Sequence, residues 1–346
     1  MSRKEQIDPL EGKKFIYKKL TENKKFTQEW KEYNQAQTKE KIMFYKLLDE
    51  LLNVVPERAY TFGRPRKSLR DMIFCCLIKT YSNTSARRTI SDLKLAEQAH
   101  YIKDVPHFNT LLNYFDDTGL QIVLPYLISV SALPLKPVEE KFALDSTGFG
   151  MKRFDRWLNV RTQQDSKRKG YRKAHALCGV KTNIIASVEI TGQNVGDSTM
   201  FAPILTNAVK QFNIKEISAD KAYSSKANLE LAEELKVMPY IPFKENVTGK
   251  PGGSPTWAKM FKFFTQNYIE FATHYHKRSN IESCFAMIKG KFGDFVRCKS
   301  ERSQDNEILC KILAHNITYL IHEIFELNLE VDFENVAKQL PAQKVV

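Results

Sequence analysis

The stretch Phe142-Ala143-Leu144-Asp145-Ser146-Thr147-Gly148 marks a change of texture: an apolar run meets a carboxylate, then small polar residues. An apolar segment this short, closed by turn-forming residues, reads as a buried strand whose exit carries Asp145. Downstream the pattern recurs. Residues 153–160 have strand-like spacing, and residues 177–190, rich in Val and Ile, read as one or two buried strands. Asp197-Ser198 caps a helix reaching about residue 212, and residues 214–219 form a strand that ends in Asp220. Residues 229–235 read as helix, 237–242 as a short strand and 249–255 as a Gly/Pro loop. The order strand, strand, strand, helix, strand, helix, strand, helix predicts an α/β layer, an antiparallel meander continued by parallel strands.

Upstream the chain is helical. Residues 1–60 are rich in Lys, Glu, Gln and aromatics, and in residues 41–53 an apolar face is built by Ile42, Phe44, Tyr45, Leu47, Leu48, Leu51 and Leu52. Gly63-Arg64-Pro65-Arg66-Lys67 breaks that pattern. Such a segment can lay Arg64 and Arg66 in an A·T-rich minor groove; the competing reading is a basic linker ahead of a helix. Three short helices follow at about 68–81, 85–99 and 106–117, with Ser68 and Ser85 as caps and Pro106 in a first turn. His107 and Asn109 stand at the start of the third, the end that a helix-turn-helix reader inserts into the major groove. A plain helical bundle satisfies the same pattern. Residues 306–327 close the chain with an amphipathic helix. The division is therefore 1–60 charged helices, 61–138 a helical region that reads as a helix-turn-helix DNA-binding domain, 139–330 an α/β domain and 331–346 a tail.

Composition narrows the partners. The 346 residues carry 53 Lys and Arg against 40 Asp and Glu, a net charge of +13 that favours a polyanion, although solubility alone can maintain such a surface. Six cysteines without a C-x₂-C pair argue against zinc ribbons and disulfide frameworks, and predict reduced thiols in a cytosolic protein. The N-terminal residues lack the apolar core of a secretory signal. No uninterrupted apolar run approaches the roughly 18 residues of a membrane span.

Near the C-terminus, Tyr275, Arg278, Glu282 and Lys289 are spaced 3, 4 and 7 apart. On one helix they fall within roughly 60° of each other. Ile281, Phe285, Ile288 and Phe292 form an apolar stripe about a quarter-turn away. Ser279-x-x-Glu282 also fits a capping box, which would start the helix at Ser279 and leave Tyr275 and Arg278 ahead of it. An aspartate that ends a strand is commonly a turn or cap residue. Two from neighbouring strands and a glutamate from a helix can instead converge on hard cations, Mg²⁺ above all. Two such ions about 4 Å apart serve in-line displacement at phosphorus.

Taken together, Asp145-Ser146-Thr147-Gly148, Ala219-Asp220-Lys221-Ala222-Tyr223 and the Tyr-x₂-Arg-x₃-Glu-x₆-Lys spacing resemble prokaryotic insertion-sequence DDE transposases. The resemblance spans most of residues 60–325 and includes Gly63-Arg64-Pro65, Val105-Pro106-His107-Phe108 and Asn306-Glu307. It implies an RNase H-like catalytic domain, a mixed five-stranded sheet flanked by helices, behind an all-α N-terminal region. It also implies that Asp145, Asp220 and Glu282 are the catalytic triad and bind Mg²⁺ or Mn²⁺, as two ions. Tyr275, Arg278 and Lys289 would contact DNA near the scissile phosphate, with Lys289 about 10 Å along the helix from Glu282. The implied reaction cuts a transposon end and joins the freed 3′-OH to target DNA, with no covalent protein–DNA intermediate. The partners implied are double-stranded DNA, as inverted repeats and target, and a second copy in the DNA complex. No membrane or nucleotide cofactor is expected, and the setting is cytoplasmic and nucleoid-associated. Rival readings are a nuclease of the same fold without strand transfer and a catalytically silent DNA-binding protein.

Only 61 residues separate Asp220 from Glu282, which leaves little room for the β-rich insertion of some relatives and puts a DNA-hairpin intermediate in doubt. Lys173 and His175 share a strand face and are further DNA-contact candidates, with a structural His as the alternative. The basic run 167–173 reads as a phosphate-contacting or simply solvated loop. Trp257, Phe261, Phe263 and Phe264 read as a base-stacking or a packing cluster. His274 and His276 lack the partners a zinc site needs.

Overall fold

The computed structural model describes residues 29–57, 62–63, 66–151, 170–250 and 252–339. The 153–160 strand, Arg64 and residues 167–169 of the basic run lie outside them. The helical region comprises α1 (Trp30–Leu52), α2 (Leu69–Tyr81), α3 (Ala86–Gln98), α4 (Phe108–Tyr114) and α5 (Thr118–Ala132). Ser68 and Ser85 cap α2 and α3 as expected, accepting from the amides of Asp71 and Arg88. The third helix is shorter than its sequence suggests. His107 is its cap, its Nδ1 accepting from the Asn109 amide at 3.3 Å, and Pro106 precedes the cap instead of lying in the first turn. Helix α5 is apolar nearly all round and shows no amphipathic period, because it is buried on most sides.

The sheet comprises β1 (Lys141–Gly150), β2 (Tyr171–Gly179), β3 (Ile185–Gly192), β4 (Glu216–Ala219) and β5 (Met238–Tyr240), in the order β3-β2-β1-β4-β5. Strands β1, β2 and β3 pair antiparallel, and β1–β4 and β4–β5 pair parallel. This is the expected meander continued by parallel strands, an α/β fold of the RNase H-like kind. Residues 177–190 resolve into the end of β2 and most of β3 around a turn. Asp145 does not end its strand. β1 continues to Gly150 because β2 stays paired with it, whereas the parallel partner β4 stops at Ala219.

Helices α6 (Asp197–Val209), α7 (Lys226–Glu234), α8 (Pro255–Gln266), α9 (Tyr268–Tyr275), α10 (Ser279–Phe292), α11 (Glu301–Leu327) and α12 (Phe333–Ala337) complete the described fold. Between Asp220 and Glu282 the described residues hold β5 and helices, with no added sheet. The aromatic cluster is packing: Trp257 is buried edge-on to Phe243, and its indole N–H donates to the Thr248 carbonyl at 2.9 Å.

Helix α11 is the hub, packed on α1, α2, α5 and β3. It starts earlier than its apolar residues suggest, because Ser303, Gln304, Asp305, Asn306 and Glu307 are buried polar residues with assigned work. Asp305 takes a two-point ion pair from Arg172 of β2, each bond 2.7 Å. Asn306 donates to the Phe115 carbonyl at 2.9 Å. Thr118–Leu135, which is α5 with the 3₁₀ turn that follows it, and α11 are long and apolar enough to pass for membrane spans by composition, yet their apolar windows are 61% and 78% buried inside the fold. They are core helices.

Asn316 of α11 matches one residue of the edge strand β3. Its Oδ1 accepts from the Ile185 amide at 2.9 Å, and its Nδ2 donates to the Ile185 carbonyl at 2.8 Å and to Ser131 Oγ at 3.0 Å. Asn316→Leu would strand those buried backbone groups at a cost of roughly 2–4 kcal/mol. Chemical denaturation should show a lower midpoint with an unchanged slope; an unchanged midpoint would show that the edge strand does not depend on this side chain.

Candidate active site

Parallel register brings the two aspartates together. Leu144 pairs with Ala219, so Asp145 of β1 lies beside Asp220, the residue just past the end of β4. Neighbouring strands lie about 4.8 Å apart. Asp220 caps the 3₁₀ turn Lys221–Tyr223, its Oδ1 accepting from the Lys221 amide at 2.5 Å. Side chains alternate across a sheet. One face therefore carries Asp145, Thr147 and Phe149 of β1 with Glu216 and Ser218 of β4, and the alternation continues to Asp220 just past the strand's end.

The helical segment that carries the Tyr-Arg-Glu-Lys stripe lies over this face. Tyr275, His276, Arg278 and Ser279 all have right-handed helical backbone, so α9, the turn His276–Arg278 and α10 form a continuous helical path. This overturns the capping-box reading. Ser279 Oγ donates back to the His276 carbonyl at 2.9 Å, and Glu282 pairs with Arg278. The Ser279 amide already donates to the His276 carbonyl within the preceding turn, so it needs no cap. Ile281, Phe285, Ile288 and Phe292 are buried, as their stripe predicts.

Arg278 is the centre of the arrangement. Its guanidinium donates to Asp145 Oδ2 at 2.6 Å and to Glu282 Oε1 at 2.5 Å, and it lies 5.9 Å from the Tyr275 ring. Lys289 donates to Thr147 Oγ1 at 2.6 Å and stands over the Phe149 ring. Burial raises the Asp145 carboxyl above its ordinary value. The Ser146 amide and Arg278 oppose that rise, and the charges of Asp220 and Glu282 add to it. Burial also lowers the Lys289 ammonium and raises the Tyr275 hydroxyl.

The donor chemistry fits a hard divalent cation: oxygens of like charge whose mutual repulsion a cation would relieve. Among the described residues, however, no group of His, Cys, Asp and Glu is closed into a ready cage. Arg278 holds Asp145 Oδ2 and Glu282 Oε1, so a cation that used those two oxygens would have to displace it.

Lys173 and His175 lie on the other face. They pair with Gly148 and Ser146, which point away from Asp145's side of β1. Lys173 contacts Asp197 at 2.6 Å and lines an open cleft of about 410 Å³ with Tyr171, Gly148 and Gly150. His175 is fully buried, bonded to Thr191 Oγ1 at 2.9 Å, and burial lowers it to about 4, so it is neutral. Buried and neutral, His175 leaves the set of DNA contacts. Arg66 is exposed, 3.9 Å from Asp117, and His107 and Asn109 are exposed on α4, far along the chain from the carboxylates.

One group of site residues was missed in the sequence. Glu216 Oε2 receives His274 Nδ1 at 2.7 Å and Lys277 Nζ at 2.8 Å, and its Oε1 lies 3.0 Å from Lys141. His274 stacks on Tyr240 at 4.4 Å, and Ser218 Oγ donates to its carbonyl. This clamp fastens the turn bearing Tyr275 and Arg278 to the strand bearing Asp220. Its signal was the polar alternation Glu216-x-Ser218-x-Asp220 within a segment read as apolar.

A family model described as "Transposase DDE domain" matches residues 136–317, just over half of the chain, and the chain belongs to that family. The family is one of polynucleotidyl transferases and endonucleases that act on DNA and generally use divalent metal ions. No solved structure matches.

Burial works to raise the Glu216 carboxyl, but the bonds from Lys277, His274 and Lys141 outweigh it and bring it from 4.5 to about 2. A carboxyl depressed on folding stabilises the fold above its unfolded value and loses that contribution as pH falls. Glu216→Gln should therefore be less stable than the parent near neutral pH, with the gap closing as pH drops from about 4.5 toward about 2. Denaturation midpoints across that range test the clamp; a pH-independent gap would refute it.

Proposed function

We propose that this protein is a DNA transposase that binds the inverted repeats of its element, cleaves at their ends and transfers the freed strand to target DNA. The observation that carries this reading is the convergence of Asp145 and Asp220, in register on adjacent strands, with Glu282 and Arg278 from the overlying helix. Asp145, Asp220 and Glu282 are assigned as the ligands of two Mg²⁺ or Mn²⁺ ions, which when bound stabilise the attacking and leaving oxygens of an in-line displacement.

The chain's own residues have separate tasks. Asp145, partly buried and crowded by like charge, is the anchor of the cation site. Arg278 exchanges its carboxylates for a DNA phosphate, a swap of one charged oxygen partner for another. Lys289, further along the same stripe, takes a neighbouring phosphate, and Tyr275 flanks the guanidinium. With no inserted β domain among the described residues, hairpin chemistry is not part of the proposal. Recognition of two ends makes the working complex at least a homodimer, and the setting is the cytoplasm, at the nucleoid.

Purified protein on its flanking inverted repeats should cut with Mg²⁺ and not with EDTA. With pre-cut ends it should also form joined product; cutting without joining would reduce the reading to a nuclease. Asp145→Ala, Asp220→Ala and Glu282→Ala should each lower cleavage on the order of a thousandfold or more, the loss of several kcal/mol of transition-state stabilisation. An Asp145→Ala protein of unchanged activity would end the catalytic assignment.

A further inference from the structure

Helix α3 presents a face that neither the fold nor the active site uses. Its buried residues Ala86, Thr89, Leu93 and Ala96 point inward. Arg87, Arg88, Ser91, Lys94, Leu95 and Gln98 are exposed. At 100° per residue these six span about 120°, centred opposite the buried stripe. The face carries cations and no carboxylate. Both acidic residues of the helix are drawn aside: Asp92 accepts from Ser82 Oγ at 3.0 Å and pairs with Lys41, and Glu97 accepts from the Val105 amide at 3.2 Å. Among the described residues Arg88 and Lys94 have no side-chain partner.

The connections favour α3 over α4 as a reading helix. Four residues, 82–85, join α2 to α3, and Asn83 takes the turn with φ 48°. A turn of about three or four residues between two helices is the helix-turn-helix connection. Nine residues, 99–107, separate α3 from α4, and α4 is only seven residues long. From Arg87 to Gln98 the α3 face runs about 17 Å, and a major groove about 12 Å wide admits such a helix. Arg87 lies 4.6 Å over the Phe108 ring, so His107 and Asn109 border the start of the face.

The turn is also tied to the catalytic strand. Arg297 donates to both the carbonyl and Oδ1 of Asn83, each at 3.0 Å. The segment ahead of Arg297 bridges to the end of β1, with Gly150 N donating to the Asp294 carbonyl at 3.0 Å and Val296 N to the Gly150 carbonyl at 2.8 Å. We infer that the exposed face of α3 binds duplex DNA in the major groove, and that the Arg297 clasp sets the bound duplex relative to Asp145. Arg88 and Lys94 are assigned to phosphates, Ser91 and Gln98 to base edges. The inference rests on the transposase reading and replaces α4 as the primary reader.

Fluorescence anisotropy in EDTA, with a duplex carrying the flanking inverted repeat and a scrambled duplex of equal composition, tests it without chemistry. Arg88→Ala with Lys94→Ala should weaken both duplexes roughly tenfold or more and flatten the salt slope by about 1.8, near 0.9 for each phosphate left without its cation. Arg88→Lys with Lys94→Arg should restore the slope, which a merely structural role would not require. Gln98→Ala should narrow the preference for the repeat by roughly fivefold to a hundredfold. Parent-like binding by the double alanine variant, or a larger loss from His107→Ala with Asn109→Ala, would overturn the assignment while leaving the transposase reading intact. A parent protein that bound neither duplex would overturn both.

Discussion

The pairing of β1 with β4 in one parallel register is the constraint on which the rest of the site depends. Leu144 opposite Ala219 places Asp145 beside Asp220 and turns both toward the same face. A slip by one residue would send every side chain of β4 to the other face. Such a slip would remove Asp220 from the site and Glu216 and Ser218 from the helix they hold. The second carboxylate and the clamp on the Tyr275–Arg278 turn thus share one structural cause.

Helix α11 holds the antiparallel side of the same sheet, through β3 and β2. A long helix of mixed polarity crosses the molecule and binds the sheet, α5 and the N-terminal helices into one core. Its buried polar residues are matched to particular backbone groups, as with Asn316 on Ile185 and Lys311 on the carbonyls of Gly293 and Phe295. Apolar residues would pack there in several ways, whereas donors and acceptors that must be satisfied admit few. The Lys311 contacts also hold the loop that meets the end of β1, so the hub reaches β1 through that loop.

Charge at the site is balanced internally. Three carboxylates on one face repel one another, and Arg278 lies between two of them. Its partners are oxygens that a cation could claim, and its own preference is for oxygen anions, which a nucleic acid supplies in quantity. In the proposed reaction that exchange would link occupancy of the carboxylates to the presence of DNA.

Much of this was legible in the chain. The apolar runs ending in Asp145 and Asp220, the strand and helix order, the Ser68 and Ser85 caps and the buried stripe of α10 all follow from periodicity and local chemistry. So did the relation of Tyr275, Arg278, Glu282 and Lys289, because spacing along a helix is a local property. Other features needed the third dimension. Ser279 looked like a cap because a sequence cannot show that the preceding turn is already helical. His175 left a contact and a structural role both open, because burial is decided by what packs above it. Glu216 looked like one polar residue in an apolar strand until His274, Lys277 and Lys141, distant in sequence, closed around it. Short-range residue types determined the elements and the candidate carboxylates; the strand register and the helix lying over it decided which side chains meet, since those contacts join residues that only folding brings together.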